Sequence, residues 1–329
     1  MSNHDFAYRS GGTYLHCPTV SEAPERLFGI AGLTYDGAVS NRPGARFGPQ
    51  AIRQASRMLC DATHPLFDTS PIGHLCDAGD LPLPNTDINV MRAALMPQAS
   101  ALLASHHMVW IGGDHSVTLP ILRALHKLHG GPVAIVHFDA HCDTWLDHFG
   151  EPSGHGTWVS EAMREGLIIP EATIQIGIRS AAQSEAREYV NTCGGRVFTA
   201  RELRGLASAT QLAPVLTEIR DRMARAGNPP VYLTLDIDCL DPAFAPGTGT
   251  PEPGGLATDQ VLTLIEELAG LNWIGMDCVE VAPSYDHAEL TSIAASAFIW
   301  TYLCGQIKQQ ALRAAALAHG RLQPACLRE

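Results

Sequence analysis

"VAIVHFDAHCDTW", residues 133–145, is an apolar run followed by three ionisable side chains at alternate positions, Asp139, His141 and Asp143. The run from Val133 to Val136 has no polar interruption, which is typical of a strand covered on both faces of its sheet. Alternate residues of an extended chain point to the same side. The stretch therefore predicts a buried strand that ends in two carboxylates and an imidazole on one face.

Similar apolar runs recur along the chain and alternate with segments of helical period. The candidate strands are residues 26–32, 108–113, 133–138, 173–178, 231–237 and 273–281. The candidate helices are residues 86–106, 117–129, 156–166, 183–191, 210–226 and 258–270, with a terminal helix after residue 310. This alternation predicts an α/β fold with a mostly parallel sheet and right-handed crossovers.

The composition limits the class of protein. The chain has 329 residues and a net charge of −12, with no repeat or linker that would divide it, so we expect one domain over residues 1–329. The acidic balance argues against a nucleic-acid or anionic-membrane surface. The nine cysteines lack C-x-x-C spacing, and "MSNHDFAYRS" lacks a basic region followed by an apolar one. We therefore expect a reduced, cytoplasmic protein without a secretory leader.

Two other predicted strands also end in polar clusters. "WIGGDHS" places His115 between a strand and a helix, and "LTLDIDCLDP" places Asp236 and Asp238 at a strand end. Active sites of open α/β sheets form beyond the carboxyl ends of the strands, so we expect the three clusters to meet.

A meeting of these clusters has an electrostatic consequence. It gathers four carboxylates and no lysine, and like charges this close raise one another's pKa unless a cation compensates them. The carboxylates are those of Asp139, Asp143, Asp236 and Asp238. Four negative charges balance two divalent ions, and His115 and His141 can add neutral nitrogen ligands. Mixed oxygen and nitrogen ligands without thiolates favour Mn²⁺ over structural zinc, with Ni²⁺, Co²⁺ or Fe²⁺ as alternatives.

Together, "GGDHS", "DAHCD" and "DIDCLDPAFAPGTGTPEPGG" resemble the signature motifs of the ureohydrolase family, which contains arginases, agmatinases and guanidino-acid hydrolases. "NRPGARFGPQAIR" (41–53) and "IGIRS" (176–180) match further family segments. The resemblance covers residues 26–305, which would be the core between an N-terminal arm and a C-terminal helical tail. It implies a three-layer α/β/α sandwich around a mostly parallel sheet of about eight strands, assembled into homotrimers or homohexamers.

The resemblance also implies a ligand set for two Mn²⁺ ions, with Asp139 and Asp236 bridging them. One ion would be bound by His115, Asp139, Asp143 and Asp236, and the other by His141, Asp139, Asp236 and Asp238. Paired cations generate a nucleophile from water near neutral pH. Its attack on a guanidinium carbon would give urea and an amine, which needs a proton as it leaves.

Residues outside the ligand set receive roles from the same resemblance. His155, in "EPSGHGTW", matches the family's proton-shuttle histidine, and Glu280, in "DCVEV", matches the glutamate that pairs with the guanidinium. With the metal ligand Asp238, these are the catalytic candidates. We expect Thr250 to form a hydrogen bond near the guanidinium. Trp158, if it faces the pocket, would narrow it or stack against the substrate tail, and the alternative is that Trp158 packs in the core.

The choice of substrate rests on one departure from the arginase pattern. Residues 145–158, "WLDHFGEPSGHGTW", contain no asparagine, whereas arginases hold the α-carboxylate and α-amino groups of arginine through an Asn-rich stretch. This departure favours agmatine, cleaved to putrescine and urea. The alternatives are 4-guanidinobutyrate or 3-guanidinopropionate, which would need a positive group such as Arg179, and guanidine or alkylguanidines.

Two alternative functions, from other classes of protein, agree less well with the sequence. A zinc-dependent deacetylase of similar fold needs one metal, and so would not require six ligands and Glu280. A silent partner subunit of a mixed oligomer should have lost ligands, and none is missing.

Overall fold

Eight parallel strands form one sheet at the centre of the computed structural model, which describes residues 12–318. The strands are β1 (Phe28–Leu33), β2 (Leu75–Leu81), β3 (His107–Ile111), β4 (Val133–Phe138), β5 (Ile168–Ile178), β6 (Arg196–Thr199), β7 (Val231–Asp236) and β8 (Trp273–Val279). Their order is β2-β1-β3-β8-β7-β4-β5-β6, and every pairing is parallel. The predicted α/β class and the sheet of about eight strands are confirmed.

Helices cover both faces of this sheet, which gives the expected three layers. They are α1 (Gly48–Ser56), α2 (Ile88–Leu103), α3 (Thr118–His129), α4 (Trp158–Arg164), α5 (Ser184–Arg187), α6 (Tyr189–Thr192), α7 (Ala209–Arg225), α8 (Thr258–Glu267) and α9 (Leu290–Ala318). Helices α2, α3 and α4 pack together on one face, and α1, α7, α8 and α9 pack on the other.

Strand β4 shows why the central strands read as continuous apolar runs. Val133 and Ile135 belong to the core beneath α2, α3 and α4, whereas Ala134 and Val136 belong to the opposite core. Both faces of the strand exclude water, so the strand lacks the regular alternation of apolar and polar residues that a one-sided sheet shows.

Helix α9 begins at Leu290, well before the terminal helix expected after residue 310. Its segment Leu290–Leu317 is long enough to cross a membrane and has a mean hydropathy of 1.3, but 78% of the apolar window is buried against the rest of the chain. It packs on α1 and α8, so it is a core helix of this fold. The first part of the predicted N-terminal arm, residues 1–11, and the end of the predicted tail, residues 319–329, lie outside the described residues.

Candidate metal centre and active site

The polar strand ends of the sequence lie side by side in the structure. Strands β3, β8, β7 and β4 are neighbours at the middle of the sheet. His115 follows β3, Glu280 follows β8, Asp236 ends β7 and Asp139 follows β4. Because all four strands are parallel, their carboxyl ends share one edge, and the three motifs meet there.

One group of ligand atoms surrounds the ring of His115. Its Nδ1 lies 3.1 Å from Asp139 Oδ2, 3.3 Å from Asp143 Oδ2 and 3.2 Å from Asp236 Oδ2. The same Nδ1 is buried and has no hydrogen-bond partner. Three carboxylate oxygens around an unpartnered nitrogen are the donor set of a divalent cation.

The other side of the His115 ring fixes its tautomer. Nε2 lies 2.8 Å from Thr234 Oγ1, and that hydroxyl donates to Asp277 Oδ1 at 2.6 Å. Because the hydroxyl proton goes to Asp277, Thr234 Oγ1 accepts the ring N–H at Nε2. The lone pair therefore stays on Nδ1, where a metal ligand needs it.

A second group of ligand atoms contains His141, and Asp139 belongs to both groups. His141 Nδ1 lies 3.3 Å from Asp139 Oδ1 and 3.1 Å from Asp238 Oδ2. The two oxygens of Asp139 thus face different groups, as a bridging ligand requires. Asp236 Oδ1 accepts the N–H of Asp238 at 2.8 Å, so the bridging role of Asp236 stays a prediction.

The electrostatics of the cluster call for cations. Burial and then the charge of Asp139 raise the pKa of Asp143 to about 8, and burial with Asp238 and Asp139 raises the pKa of Asp236 well above its usual range. Burial alone would lower the pKa of His115, but the surrounding carboxylates raise it to about 9. Protons are retained where divalent ions would otherwise balance the charge. The donor atoms and the charges therefore both fit a pair of metal ions.

Glu280 and His155 form a pair beside this cluster. Glu280 Oε1 accepts the N–H of His115 at 2.9 Å and lies 2.8 Å from His155 Nδ1, whereas its buried Oε2 has no partner. His155 Nε2 lies 2.9 Å from the hydroxyl of Ser40. Burial would lower the pKa of His155, but the charge and hydrogen bond of Glu280, together with the charges of Asp114 and Asp143, outweigh it and raise the pKa to about 9. Nε2 of His155 also accepts the backbone N–H of Ser40 at 3.2 Å, so the ring directs its Nδ1–H at Glu280, and the pair offers an unpaired carboxylate oxygen to a cationic N–H group.

A cavity of about 800 Å³ opens onto this cluster. The residues of the cluster that reach it are His141, Asp143, His155, Asp236 and Thr250. Its walls are formed by residues of two segments, 144–149 and 181–189, and we call the residues of these segments that line the cavity the cavity walls. Among the described residues that line the cavity there is no lysine or arginine, whereas the walls carry Asp147 and Glu185. Thr250 Oγ1 donates to Asp238 Oδ2 at 3.1 Å, so it stands next to a candidate metal ligand, and its contact with the guanidinium stays a prediction.

The prediction for Trp158 is wrong. This side chain is fully buried at the start of α4 and does not line the cavity, because its ring packs 5.0 Å from the ring of His115. Its Nε1–H donates to Asp143 Oδ2 at 2.7 Å. Trp158 therefore holds a candidate metal ligand in place and does not narrow the pocket.

Arg179 does not provide the positive group that a carboxylated substrate would need. Its guanidinium donates to one backbone carbonyl at the end of β5 and to others in the segment that follows β7, and it does not line the cavity. The acceptors are the carbonyl oxygens of Gly177, Asp238, Cys239, Leu240 and Glu252. Arg179 thus supports the backbone beneath the ligands.

Sequence reasoning missed a row of buried polar residues beneath the ligands, which we call the polar row. It comprises Gln175, His137, Thr234 and Asp277, which are paired in register across β5, β4, β7 and β8. All four are completely buried. A polar residue inside each of four apolar strands was a visible signal, and His137 even lies two positions before Asp139 on the same face.

Comparison with known proteins agrees with this geometry. The model of the Arginase family matches residues 26–305. An agmatinase of Chromobacterium violaceum is 41% identical over 84% of this chain and 82% of its own length, and an agmatinase of Serratia proteamaculans is 44% identical over 81% and 83%. The solved structure of proclavaminate amidino hydrolase from Streptomyces clavuligerus is 38% identical, with a TM-score of 0.83 over 92% of this chain and 99% of its own. This chain belongs to the arginase family, and it is a hydrolase with the fold of that family.

Proposed function

We propose that the protein is an agmatinase, which hydrolyses agmatine to putrescine and urea with two Mn²⁺ ions per subunit. The observation that carries the proposal is the unpartnered, buried Oε2 of Glu280, which lies behind the cavity lining: the other oxygen of Glu280 is 2.8 Å from Nδ1 of His155, and His155 lines the cavity together with metal ligands of both groups. A guanidinium group is a planar cation whose N–H donors match a carboxylate. The similarity to agmatinases of two species supports this choice of substrate.

The ligand atoms suit an oxygen-rich divalent site. His115, Asp139, Asp143 and Asp236 would hold one ion, and His141, Asp139, Asp236 and Asp238 would hold the other. Carboxylate-dominated ligation without thiolate favours Mn²⁺, and Ni²⁺ or Co²⁺ are the alternatives. When bound, the pair lowers the pKa of water and so supplies a nucleophile near neutral pH.

The side chains of the chain itself position the substrate and move a proton. Glu280 Oε2 accepts N–H groups of the guanidinium and fixes its carbon above the metal ligands. Water adds its oxygen to that carbon, the bond from the carbon to the alkyl nitrogen breaks, and the departing amine takes up a proton. His155 lines the cavity, and the carboxylate of Glu280 at 2.8 Å from its Nδ1 favours the protonated ring, so His155 is placed to donate a proton to this nitrogen.

The cavity lining supports a cationic or neutral tail over a carboxylated one. A carboxylate entering a site bordered by Asp147 and Glu185, with no lysine or arginine in the described lining, would be repelled and left unpaired. The second candidate function is hydrolysis of 4-guanidinobutyrate or 3-guanidinopropionate. The amidino hydrolase of similar structure is named for proclavaminate, which is a carboxylate, and this observation favours a carboxylated substrate. Guanidine and alkylguanidines are further alternatives.

The cellular setting is part of the proposal. The eight cysteines among the described residues are free thiols, which is usual in a reducing compartment and supports a cytoplasmic enzyme. The resemblance to ureohydrolases supports a homotrimer or homohexamer. The net charge of −12 supports a small cationic partner and no nucleic-acid or membrane partner.

Release of urea from a panel of substrates tests the proposal. The purified chain, loaded with Mn²⁺ or with Ni²⁺, is assayed with agmatine, 4-guanidinobutyrate, 3-guanidinopropionate, arginine and guanidine. We expect the highest kcat/KM for agmatine, and with Glu280→Gln a loss of about 10²-fold or more while the metal content is kept, as for loss of one preorganised electrostatic contact. No urea from any substrate would refute the hydrolase, and urea from carboxylated substrates alone would refute the choice of agmatine.

A further inference from the structure

We propose that His137 is a positioning residue, which Gln175 holds in one tautomer so that it donates a hydrogen bond to Asp139, and that it is not a metal ligand. The proposal rests on the metal site of the proposed function and adds a second part to it, the side chains that orient the bridging carboxylate.

Geometry alone leaves two roles for His137. Ligand-type atoms of His115, His137, Asp139 and Asp143 all lie within 4.8 Å of one another, so His137 could be counted with the metal ligands. Its Nε2 also lies 2.7 Å from Asp139 Oδ2, which is a hydrogen-bond distance. The two roles require opposite states of Nε2, because a ligand needs a lone pair there and a donor needs a proton.

Gln175 decides between these states. Its side-chain nitrogen lies 2.7 Å from the carbonyl oxygen of Cys142 and 3.1 Å from His137 Nδ1. A carbonyl oxygen can only accept, so the amide must present its NH₂ group there and not its oxygen. The second amide proton then points to Nδ1, which must accept it. A neutral ring that accepts at Nδ1 carries its proton at Nε2, and that proton is directed at Asp139.

This donor completes the hydrogen-bonding pattern of Asp139. A carboxylate has about four acceptor sites. Oδ2 uses one for His137, and Oδ1 uses one for the N–H of His141 at 2.6 Å. Each oxygen of Asp139 therefore keeps one acceptor site for a metal ion, and the two oxygens face the two ligand groups. Gln175, His137 and Asp139 are fully buried, so no water competes for these bonds.

Metal binding by two variants of His137 in the full-length protein tests the proposal. The amide of glutamine can donate as Nε2–H does, whereas leucine cannot. If His137 positions Asp139, His137→Gln keeps two Mn²⁺ per chain with less than about tenfold loss of affinity, and His137→Leu loses about 10- to 100-fold. If both variants lose one ion equally, His137 is a ligand and the proposal is overturned. His107→Gln is the matched control, because His107 bonds to Tyr302 and begins β3, at the end of the strand away from the site.

A spectroscopic readout gives a second check. In protein labelled with ¹⁵N-histidine and loaded with diamagnetic Zn²⁺, we expect one ring, absent in His137→Gln, with a protonated Nε2 and an unprotonated Nδ1. In Gln175→Met, which removes the donor, that ring should show mixed tautomers. A protonated Nδ1 in the unsubstituted protein would overturn the proposal. Neither readout needs turnover, so a wrong substrate would not affect them, and failure to bind any metal would count against the proposed function instead.

Discussion

The base of the cavity and the cavity walls are built on different principles. At the base, Asp139 and Glu280 are completely buried, and the hydrogen bonds of neighbouring strands fix the ligand side chains. On the walls, Leu146 is 69% exposed and Phe149 is 88% exposed. The difference suggests a division of labour in which the buried base determines the reaction and the exposed walls determine which substrate tail is accepted.

The supports of the two regions differ in the same way. Beneath the base, two members of the polar row contact ligands directly: His137 Nε2 lies 2.7 Å from Asp139 Oδ2, and Thr234 Oγ1 lies 2.8 Å from His115 Nε2. The walls are joined by few bonds, such as that from Thr144 Oγ1 to the carbonyl oxygen of Ala186 at 2.6 Å. A change at the walls therefore costs little stability, and the substrate preference can change while the fold and the chemistry stay the same.

The largest effect is expected from a substitution at the base. Asp139→Asn removes a charge that faces both ligand groups, so both metal ions should bind far more weakly and kcat/KM should fall by about 10³-fold or more. Metal content by mass spectrometry and urea release measure the two effects. Asp147→Asn is the matched change on a wall and should alter kcat/KM less than tenfold. Equal losses in both variants would contradict the division between base and walls.

Metal removal should make the base the pH-sensitive part of the molecule. Burial, and then Asp139, raise the pKa of Asp143 from 3.8 to about 8, so between these values the folded chain holds a proton that the unfolded chain has released. His115 and His155, both with a pKa of about 9, have the same effect between 6.5 and 9. The stability of the metal-free protein should therefore fall as the pH rises from 6.5 to 8.5.

Thermal melting with and without a chelator measures this dependence. We expect the melting temperature of the metal-free protein to fall by a few degrees over that range. Stabilisation by added Mn²⁺ should grow over the same range, because the ions replace the retained protons. A metal-free protein that becomes more stable toward pH 8.5 would show that other groups dominate.

The candidate ligands at the base could be identified from the sequence because the pattern that reveals them lies within short stretches of the chain. Two carboxylates and a histidine at alternate positions after an apolar run identify a strand end wherever that strand lies. The partners of these residues are not local: Gln175 reaches His137, and Asp277 reaches Thr234, only because neighbouring strands pair in that register. The spacing within one strand carries no information about such register.

Two other failures have related causes. Strands β2 and β6 were not predicted. They are the two edge strands of the sheet, and an edge strand is less completely covered, so it does not need a continuous apolar sequence. Strand β2 contains Asp77, a buried charge that is compatible with a strand only because Arg53 of α1 pairs with it at 2.8 Å. Trp158 was misplaced because the direction of its ring depends on how α4 packs, which residues 145–158 do not reveal.

The smallest effect is expected at the walls, where charge should select the substrate tail. Glu185 lines the cavity, is exposed and has no hydrogen bond or ion pair within residues 12–318. Its carboxylate is therefore free to attract the terminal ammonium of agmatine through solvent. Since exposed charge pairs contribute about 0.2–1 kcal/mol, Glu185→Gln should raise KM for agmatine by about 1.4- to fivefold and leave kcat unchanged. Added salt should reduce the difference between the variants, because it screens exposed charges.

Two controls separate charge recognition from a structural effect. Guanidine has no tail, so its KM should be the same in both proteins, whereas 4-guanidinobutyrate should gain from the loss of a repelling carboxylate. Glu188→Gln is the matched variant, because Glu188 lies in the next turn of the chain but pairs with Arg187 and Asn191 and does not line the cavity. If Glu185→Gln changed KM for guanidine and agmatine equally, the walls would act on the reacting group and not on the tail, and the distinction between the two regions would fail.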